Sequence, residues 1–441
     1  MNSRNSGKKF RIHTLGCKVN QYESQAMREI LLKAGFKESS PGEGAADIYI
    51  VNTCTVTGEA DRESRSVLSR FHKANPNARI VATGCLTEMD SSSLLSMPGV
   101  SVVLKNSGKN RIADVARASY GLIRTGRSKE LAISDFKDHS KAYVKIQDGC
   151  ENRCSYCKVP IVRGGLRSKP IRRIVEEVAG LVRNGFKEII LTGICLGAWG
   201  RDRRFQRIAG KVGLRQAALV DVMEALDRLR GDFRIRLSSI EPKYVTDQLI
   251  DLMAYSGKMC AHLHMPFQSG DDDILKLMNR PYTSAEYRAI VDRVRSRIPR
   301  IALTTDILIG FPGESHARFR NTVAFARAVS PSRTHIFTFS RREGTPAYDM
   351  PDTVERPIVK RRYESMQEAA HEAAYAYRRN FLGQELKVLV ETKRDKSTGL
   401  LKGYSDNYIQ VLFSGRDDLM KTIVPVRVAG VDPERTMGIY E

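Results

Sequence analysis

Apolar and polar positions divide the chain into repeated strand and helix units. KFRIHTLG stops at Cys17, and a helical pattern runs from Asn20 to Ala34. DIYIVNT, residues 47–53, stops at Cys54, with a polar amphipathic helix predicted to about Ala74. RIVATG, residues 79–84, stops at Cys85, and VSVVLKN from Val100 reads as a fourth strand. This alternation predicts a parallel α/β sheet with crossover helices.

A polar, charged stretch from Leu122 to Lys141 reads as a linker. Beyond it AYVKI, EIILTG, FRIRLSS, AHLHMPF, ALTTDILIGF and RTHIFTFS begin at Ala142, Glu188, Phe233, Ala261, Ala302 and Arg333. Helical patterns lie between them at 171–184, 218–230 and 283–298. Six such repeats predict an open, partial β/α barrel with its active site at the strands' carboxyl ends. A long Ala-rich helix follows from about Glu355 to Phe381. QELKVLVET, GLLKGYS, YIQVLF and KTIVPVRVAG then predict a small OB-like β-barrel. The expected domains are 1–136, 137–380 and 381–441.

The length of 441 residues fits two or three domains. Net charge is +22, with 72 Lys and Arg against 50 Asp and Glu, which points to a polyanionic partner such as nucleic acid. The basic N-terminus, Met1 to Arg11, has no apolar core of a signal peptide. No apolar run reaches the roughly 18 residues of a membrane span. A cytoplasmic protein is expected, so its eight Cys should be reduced and available for metal or catalysis.

The tightest cysteine pattern is Cys150, Cys154 and Cys157, in DGCENRCSYCKVP directly after a predicted strand. Three thiolates can hold three irons of a cubic 4Fe–4S cluster and leave the fourth open. Zinc is the rival, but a structural zinc site wants a fourth ligand, and no Cys or His follows nearby. Cys17, Cys54 and Cys85 form a second set, 31 to 37 residues apart. Each follows a predicted parallel strand, so all three should converge on one sheet edge around a second metal centre.

DGCENRCSYC resembles the motif of radical S-adenosylmethionine (SAM) enzymes. The resemblance implies that the cluster reduces SAM to a 5′-deoxyadenosyl radical, with Tyr156 beside the adenine. TLGCKVNQYES, VNTCTVT, ATGC, LTGICLGAWG, RLSSIEP, HLHMPFQSGDDDILKLMNRPYT, TTDILIGFPGE and FSRREGTPAYDMP extend it to the methylthiotransferase family. It covers about Lys9 to Glu441 and is weakest at 107–140 and 200–217. The final β-barrel then resembles a TRAM domain.

Membership would imply two 4Fe–4S clusters, the auxiliary one on Cys17, Cys54 and Cys85 serving the sulfur, with a second SAM giving the methyl group. It also implies a reducing donor such as a flavodoxin or ferredoxin. The first and fourth motifs resemble the branch that modifies C2 of N6-threonylcarbamoyladenosine at position 37 of tRNA, in the anticodon stem-loop. Cys195 departs from that branch, where His is usual. Isopentenyladenosine in tRNA and a ribosomal-protein aspartate are the alternative substrates. A non-catalytic iron–sulfur RNA-binding protein is the alternative of another class.

Other positions are more ambiguous. Ser238, Ser239 and Glu241 end a barrel strand and suit the SAM ribose or amino group, or a plain turn. Gln268, Ser269, Gly310, Gly313 and Glu314 sit at further strand ends, where backbone can approach a nucleoside closely. Arg341 and Arg342 read as anion contacts or a solvated face. Cys195, Cys260, His262 and His264 read mainly as packing or lining residues. The loop 201–215 could touch RNA or be a charged insertion. A threonylcarbamoyl carboxylate needs a cation, for which Arg163, Arg167 and Arg341 are the candidates.

Overall fold

The computed structural model describes residues 7–40, 43–117, 130–203, 205–207 and 217–441. Part of the expected linker, 122–129, lies outside the described residues, as do Met1–Ser6 and, within the basic loop, 204 and 208–215. The chain forms two compact units. The first comprises 1–137 with 149–152 and 157–165; the second comprises 138–148, 153–156 and 166–441.

The first unit is built on a five-stranded sheet of β1 (Lys9–Thr14), β2 (Lys37–Glu38), β3 (Ile48–Thr53), β4 (Arg79–Gly84) and β5 (Val100–Leu104). All neighbours pair in parallel, in the order β2-β1-β3-β4-β5. Helices Lys18–Lys33 and Gly58–Ala74 cross over between strands. Every residue of β3 is buried, as a central strand covered on both faces requires. Tyr49, Val51 and Leu68 lie in one core cluster, and Ile48, Ile50 and Met27 in another. The strand order reverses between β1 and β3, which makes the carboxyl ends of these two strands the expected ligand crevice.

The second unit contains β6 (Lys141–Asp148), β7 (Arg167–Ser168), β8 (Glu188–Gly193), β9 (Arg234–Leu237), β10 (His262–His264), β11 (Ala302–Ile309) and β12 (Arg333–Thr338). β6, β8 and β9 pair in parallel, as do β10, β11 and β12. Parallel bridges Ile235–Met259 and Ser239–His264 join the two sets. The six expected barrel strands are therefore present and form a partial barrel. β7, a short antiparallel edge strand, adds to them.

Helix Arg356–Arg379 buries Arg362, Met366, Ala369 and Ala373 along one face, at the spacing of a helical stripe. The last segment closes into a barrel of β13 (Glu385–Val390), β14 (Leu401–Ser405), β15 (Gln410–Phe413), β16 (Ile423–Val431) and β17 (Thr436–Ile439). Val388, Val411, Phe413 and Val426 fill it. Among the described residues, no helix is long and apolar enough to cross a membrane.

Candidate functional site

In the first unit Cys17, Cys54 and Cys85 follow β1, β3 and β4. Side-chain bonds tie the strand ends together. Asn20 Nδ2 donates to the carbonyls of Leu15 (2.7 Å) and Thr53 (3.0 Å). Thr53 Oγ1 donates to the Thr83 carbonyl (2.6 Å) and accepts from the Leu86 amide (3.2 Å). Gly16 has φ +89°, and a Cβ there would sit 2.7 Å from Cys54 Sγ, so the β1 loop closes directly onto that thiol. Cys17 is exposed, whereas Cys54 and Cys85 are buried.

Burial pushes the Cys54 thiol up to about 11, and charges on Cys85 and Cys17 push the same way, so the three sulfurs lie within electrostatic reach of one another. Burial also raises Cys85, against the pull of Arg163 and Lys109. Such thiols ionise readily only beside a cation, which is what a cluster iron provides. Arg163 Nε points at Cys85 Sγ from 3.2 Å, a donor suited to a thiolate. Its Nη1 pairs with Glu23 at 2.7 Å, and its Nη2 also bonds Asn20. Glu23 pairs with the buried Lys109 as well. The residues present fit an iron–sulfur cluster.

Of the other three cysteines, Cys150 and Cys157 pack with the first unit and Cys154 with the second. All are partly exposed. The Asn152 amide approaches Cys150 Sγ at 3.4 Å, and the Cys150 amide donates to the Gly164 carbonyl at 3.0 Å.

In the second unit, Ser155 donates through its amide to Met278 (3.0 Å) and through its hydroxyl to Leu277 (2.8 Å). Tyr156 lies edge-on to Phe311, ring centres 6.3 Å apart. Arg280 Nη1 reaches Cys154 Sγ at 3.3 Å while the same guanidinium pairs with Glu241. Sequence reasoning missed Arg280. Its signal is NRPYT, a buried Arg held by Tyr282 directly after a proline.

The strand-end residues fall at the carboxyl end of the partial barrel. Ser238 is buried, and its hydroxyl has no partner among the described residues. Gln268 takes φ +64° and bridges to Ile307, and Ser269 bonds Thr322. Gly310 and Gly313 take φ +76° and +80°. Glu314 accepts from the Gly310 amide (3.1 Å) and from Arg362 (2.6 Å), so its carboxylate holds the turn. Cys195 and Cys260 are both buried. Arg342 is buried, and Arg341 donates to the Met350 carbonyl. Arg163 ends the short helix Val159–Arg163 instead of flanking a strand end. Its burial against Glu23 and Cys85 removes it as the cation for a substrate carboxylate.

A polar cluster on the barrel strands was not foreseen as a unit. Asp306 Oδ1 lies 3.3 Å from His264 Nε2 and 3.2 Å from His335 Nδ1. His262 and His264 both bond Thr304 Oγ1, at 3.1 and 2.8 Å. Among the described residues, His264, Asp306 and His335 alone bring three ligand atoms within 4.8 Å of one another. They already complete each other's hydrogen bonds without an ion.

Known proteins carry the same combination. A model described as uncharacterized protein family UPF0004 matches residues 9–105, and the Radical SAM superfamily model matches 144–326. The solved radical S-adenosylmethionine methyltransferase TsrM from Kitasatospora setae, with cobalamin and a 4Fe–4S cluster bound, shares the fold. Its TM-score is 0.53 at 15% identity, over 78% of this chain and 77% of that one. Fold and cysteine loop thus define a radical SAM enzyme.

Relatives span nearly the whole length. Threonylcarbamoyladenosine tRNA methylthiotransferase MtaB of Thermotoga maritima is 37% identical over 415 residues, 92% of each chain. MtaB of Bacillus subtilis is 34% identical over 94% of this chain and 92% of its own. The tRNA-2-methylthio-N(6)-dimethylallyladenosine synthase of Pelotomaculum thermopropionicum is 31% identical over 98% and 97%. The chain belongs to the radical SAM methylthiotransferase family. Membership implies 4Fe–4S chemistry and SAM as cofactors.

Proposed function

We propose that this protein adds a methylthio group to C2 of N6-threonylcarbamoyladenosine at position 37 of tRNA. The observation that carries the reading is the pair of three-cysteine sets within a chain 37% identical to an MtaB over 92% of its length. Cys150, Cys154 and Cys157 are assigned to one 4Fe–4S cluster, and Cys17, Cys54 and Cys85 to a second. With SAM bound, a cluster held by Cys150, Cys154 and Cys157 would supply one-electron reductive chemistry directed at an unactivated C–H.

The chain's own residues have separate tasks in this reading. Arg280 steadies the Cys154 sulfur and is itself fixed by Glu241. Tyr156 is assigned to the adenine of SAM, with Ser238, Ser239 and the turn Gly310–Glu314 around the rest of the cofactor. The closed barrel of β13–β17 serves as the RNA-binding module, so 1–136, 137–380 and 381–441 act as three functional domains. A reduced flavodoxin or ferredoxin is the proposed donor. An unstacked base in a loop can reach such a site, whereas a paired base cannot.

Arg167 and Arg341 are the cations proposed for the threonyl carboxylate. An isopentenyl group would leave such a cation unpaired. The test gives the purified enzyme two tRNAs, one with each modification, with SAM and dithionite. Methylthio product from the threonylcarbamoyl tRNA is expected. Product only from the isopentenyl tRNA would move the protein to the other branch.

A further inference from the structure

We infer that Arg163 is a positioning residue for the auxiliary cluster: its guanidinium, held by Glu23, donates to the Cys85 sulfur and raises the cluster's reduction potential. The inference rests on the assignment of Cys17, Cys54 and Cys85 to a cluster. Its observations lie wholly within the first unit. Arg163 Nε stands 3.2 Å from Cys85 Sγ. The other two nitrogens are committed elsewhere, Nη1 to Glu23 and Nη2 to Asn20 and Glu23, so the fork is fixed and cannot swing away from the sulfur. The side chains of both Arg163 and Glu23 are almost completely excluded from solvent, at 1% and 2%. Charges there are poorly screened and act strongly on a neighbour.

Hydrogen bonds to the sulfurs and nearby charge are two of the factors that set cluster potentials. Reduction adds negative charge, so a buried cation donating to a ligand sulfur favours the reduced state. Glu23 opposes this effect and fixes the donor's direction. Lys109 Nζ, which also bonds Asn52 Oδ1 at 3.0 Å, adds a second positive charge to the group.

The location has a further consequence. Arg163 lies six residues after Cys157, across the short helix Val159–Arg163. The same stretch, 157–165, packs as part of the first unit. One short segment thus carries a ligand assigned to the SAM-cleaving cluster and a donor to a ligand of the other.

The test is a redox titration of the auxiliary cluster by electron paramagnetic resonance, in full-length protein carrying Cys150→Ala, Cys154→Ala and Cys157→Ala. In that background Arg163→Gln should lower the midpoint potential and Glu23→Gln should raise it, with Arg163→Lys between wild type and Arg163→Gln. Opposite signs are the decisive result, because loss of mere packing would not shift the two variants in opposite directions. If Arg163→Gln fails to hold iron, Glu23→Gln and Arg163→Lys still carry the sign. Iron retained at about four per chain with an unmoved potential in all variants overturns the inference alone. Absence of iron from the triple-Ala background overturns the cluster assignment and the inference with it.

Discussion

Arg236 meets Glu188 at the foot of β8 and β9, Nε to Oε1 at 3.0 Å, with both side chains 2% exposed. Arg234 approaches the same carboxylate at 2.7 Å. The terminal nitrogens of the two arginines donate outward to carbonyls of the closed barrel. Arg234 reaches Lys387 and Tyr404, and Arg236 reaches Ser405 and Asp406. One buried acid therefore balances two cations that tie β13, β14 and the turn after β14 to the partial barrel.

Removing that acid leaves two buried guanidiniums without their counter-charge. Glu188→Gln should cost about 3–5 kcal/mol, the range for breaking a buried pair on one side, and the thermal midpoint should fall accordingly. Burial pushes the Glu188 carboxyl up, but Arg236 and Arg234 hold it well below the usual carboxylate range. Its contribution is then complete above the unfolded value of about 4.3 and is lost only as pH falls through the lower folded value. The deficit of the variant should be the same at pH 6 and pH 8. A deficit that shrinks between these values would mean that Glu188 is not ionised in the fold.

Iron content separates the two cysteine sets. Anaerobically reconstituted protein should hold about eight irons, as two cubic clusters require. The triple variant at Cys150, Cys154 and Cys157 should hold half of that, as should the triple variant at Cys17, Cys54 and Cys85. Cys154→Ala should make no 5′-deoxyadenosine, whereas Cys54→Ala should still make it yet form no methylthio product. Methylthiolated tRNA from Cys54→Ala would refute a sulfur-serving role for that set.

Arg280 gives a sharper test of the SAM-cleaving half. It joins Glu241 to Cys154, and its loss strips a donor from the Cys154 sulfur and a partner from the Glu241 carboxylate. Outer partners of metal ligands typically matter by about 10–100-fold. Arg280→Gln should slow 5′-deoxyadenosine formation by that order while iron at Cys17, Cys54 and Cys85 is retained. An unchanged rate would assign Arg280 to packing alone.

These residues mark where the sequence is readable. All six barrel strands are legible because each is an apolar run ending in polar or glycine residues, as in EIILTG before Ile194. Cys17, Cys54 and Cys85 are legible because each follows such a run. β17 is not: TMGI is four residues long, and Gly438 packs under Val426 and Val411, a fit set by the closed barrel alone. β2 is two residues of a charged edge with no pattern to see. Arg163 illustrates the other limit. Its partners Glu23 and Cys85 lie 140 and 78 positions away. Nothing local distinguishes its side chain from a solvent-facing arginine at a helix end.

The barrel carbonyls that accept from Arg234 and Arg236 also decide how RNA binding is best tested. Deleting β13–β17 would remove acceptors from buried arginines, so truncation would confound folding with affinity. Point charges avoid this. Lys393, Lys396 and Lys421 are exposed on the closed barrel. Arg394, Arg416 and Arg427 are instead paired with Asp417, Asp418 and Glu441. Replacing the three lysines together by Glu should weaken tRNA binding while leaving both clusters and the thermal midpoint intact. If each contacts a phosphate, the slope of log affinity against log salt should become shallower by roughly 0.7–0.9 per lysine. Affinity measured at several salt concentrations for wild type and variant reads this directly. Equal slopes would place the phosphate contacts elsewhere on the chain and exclude these three lysines from the RNA surface.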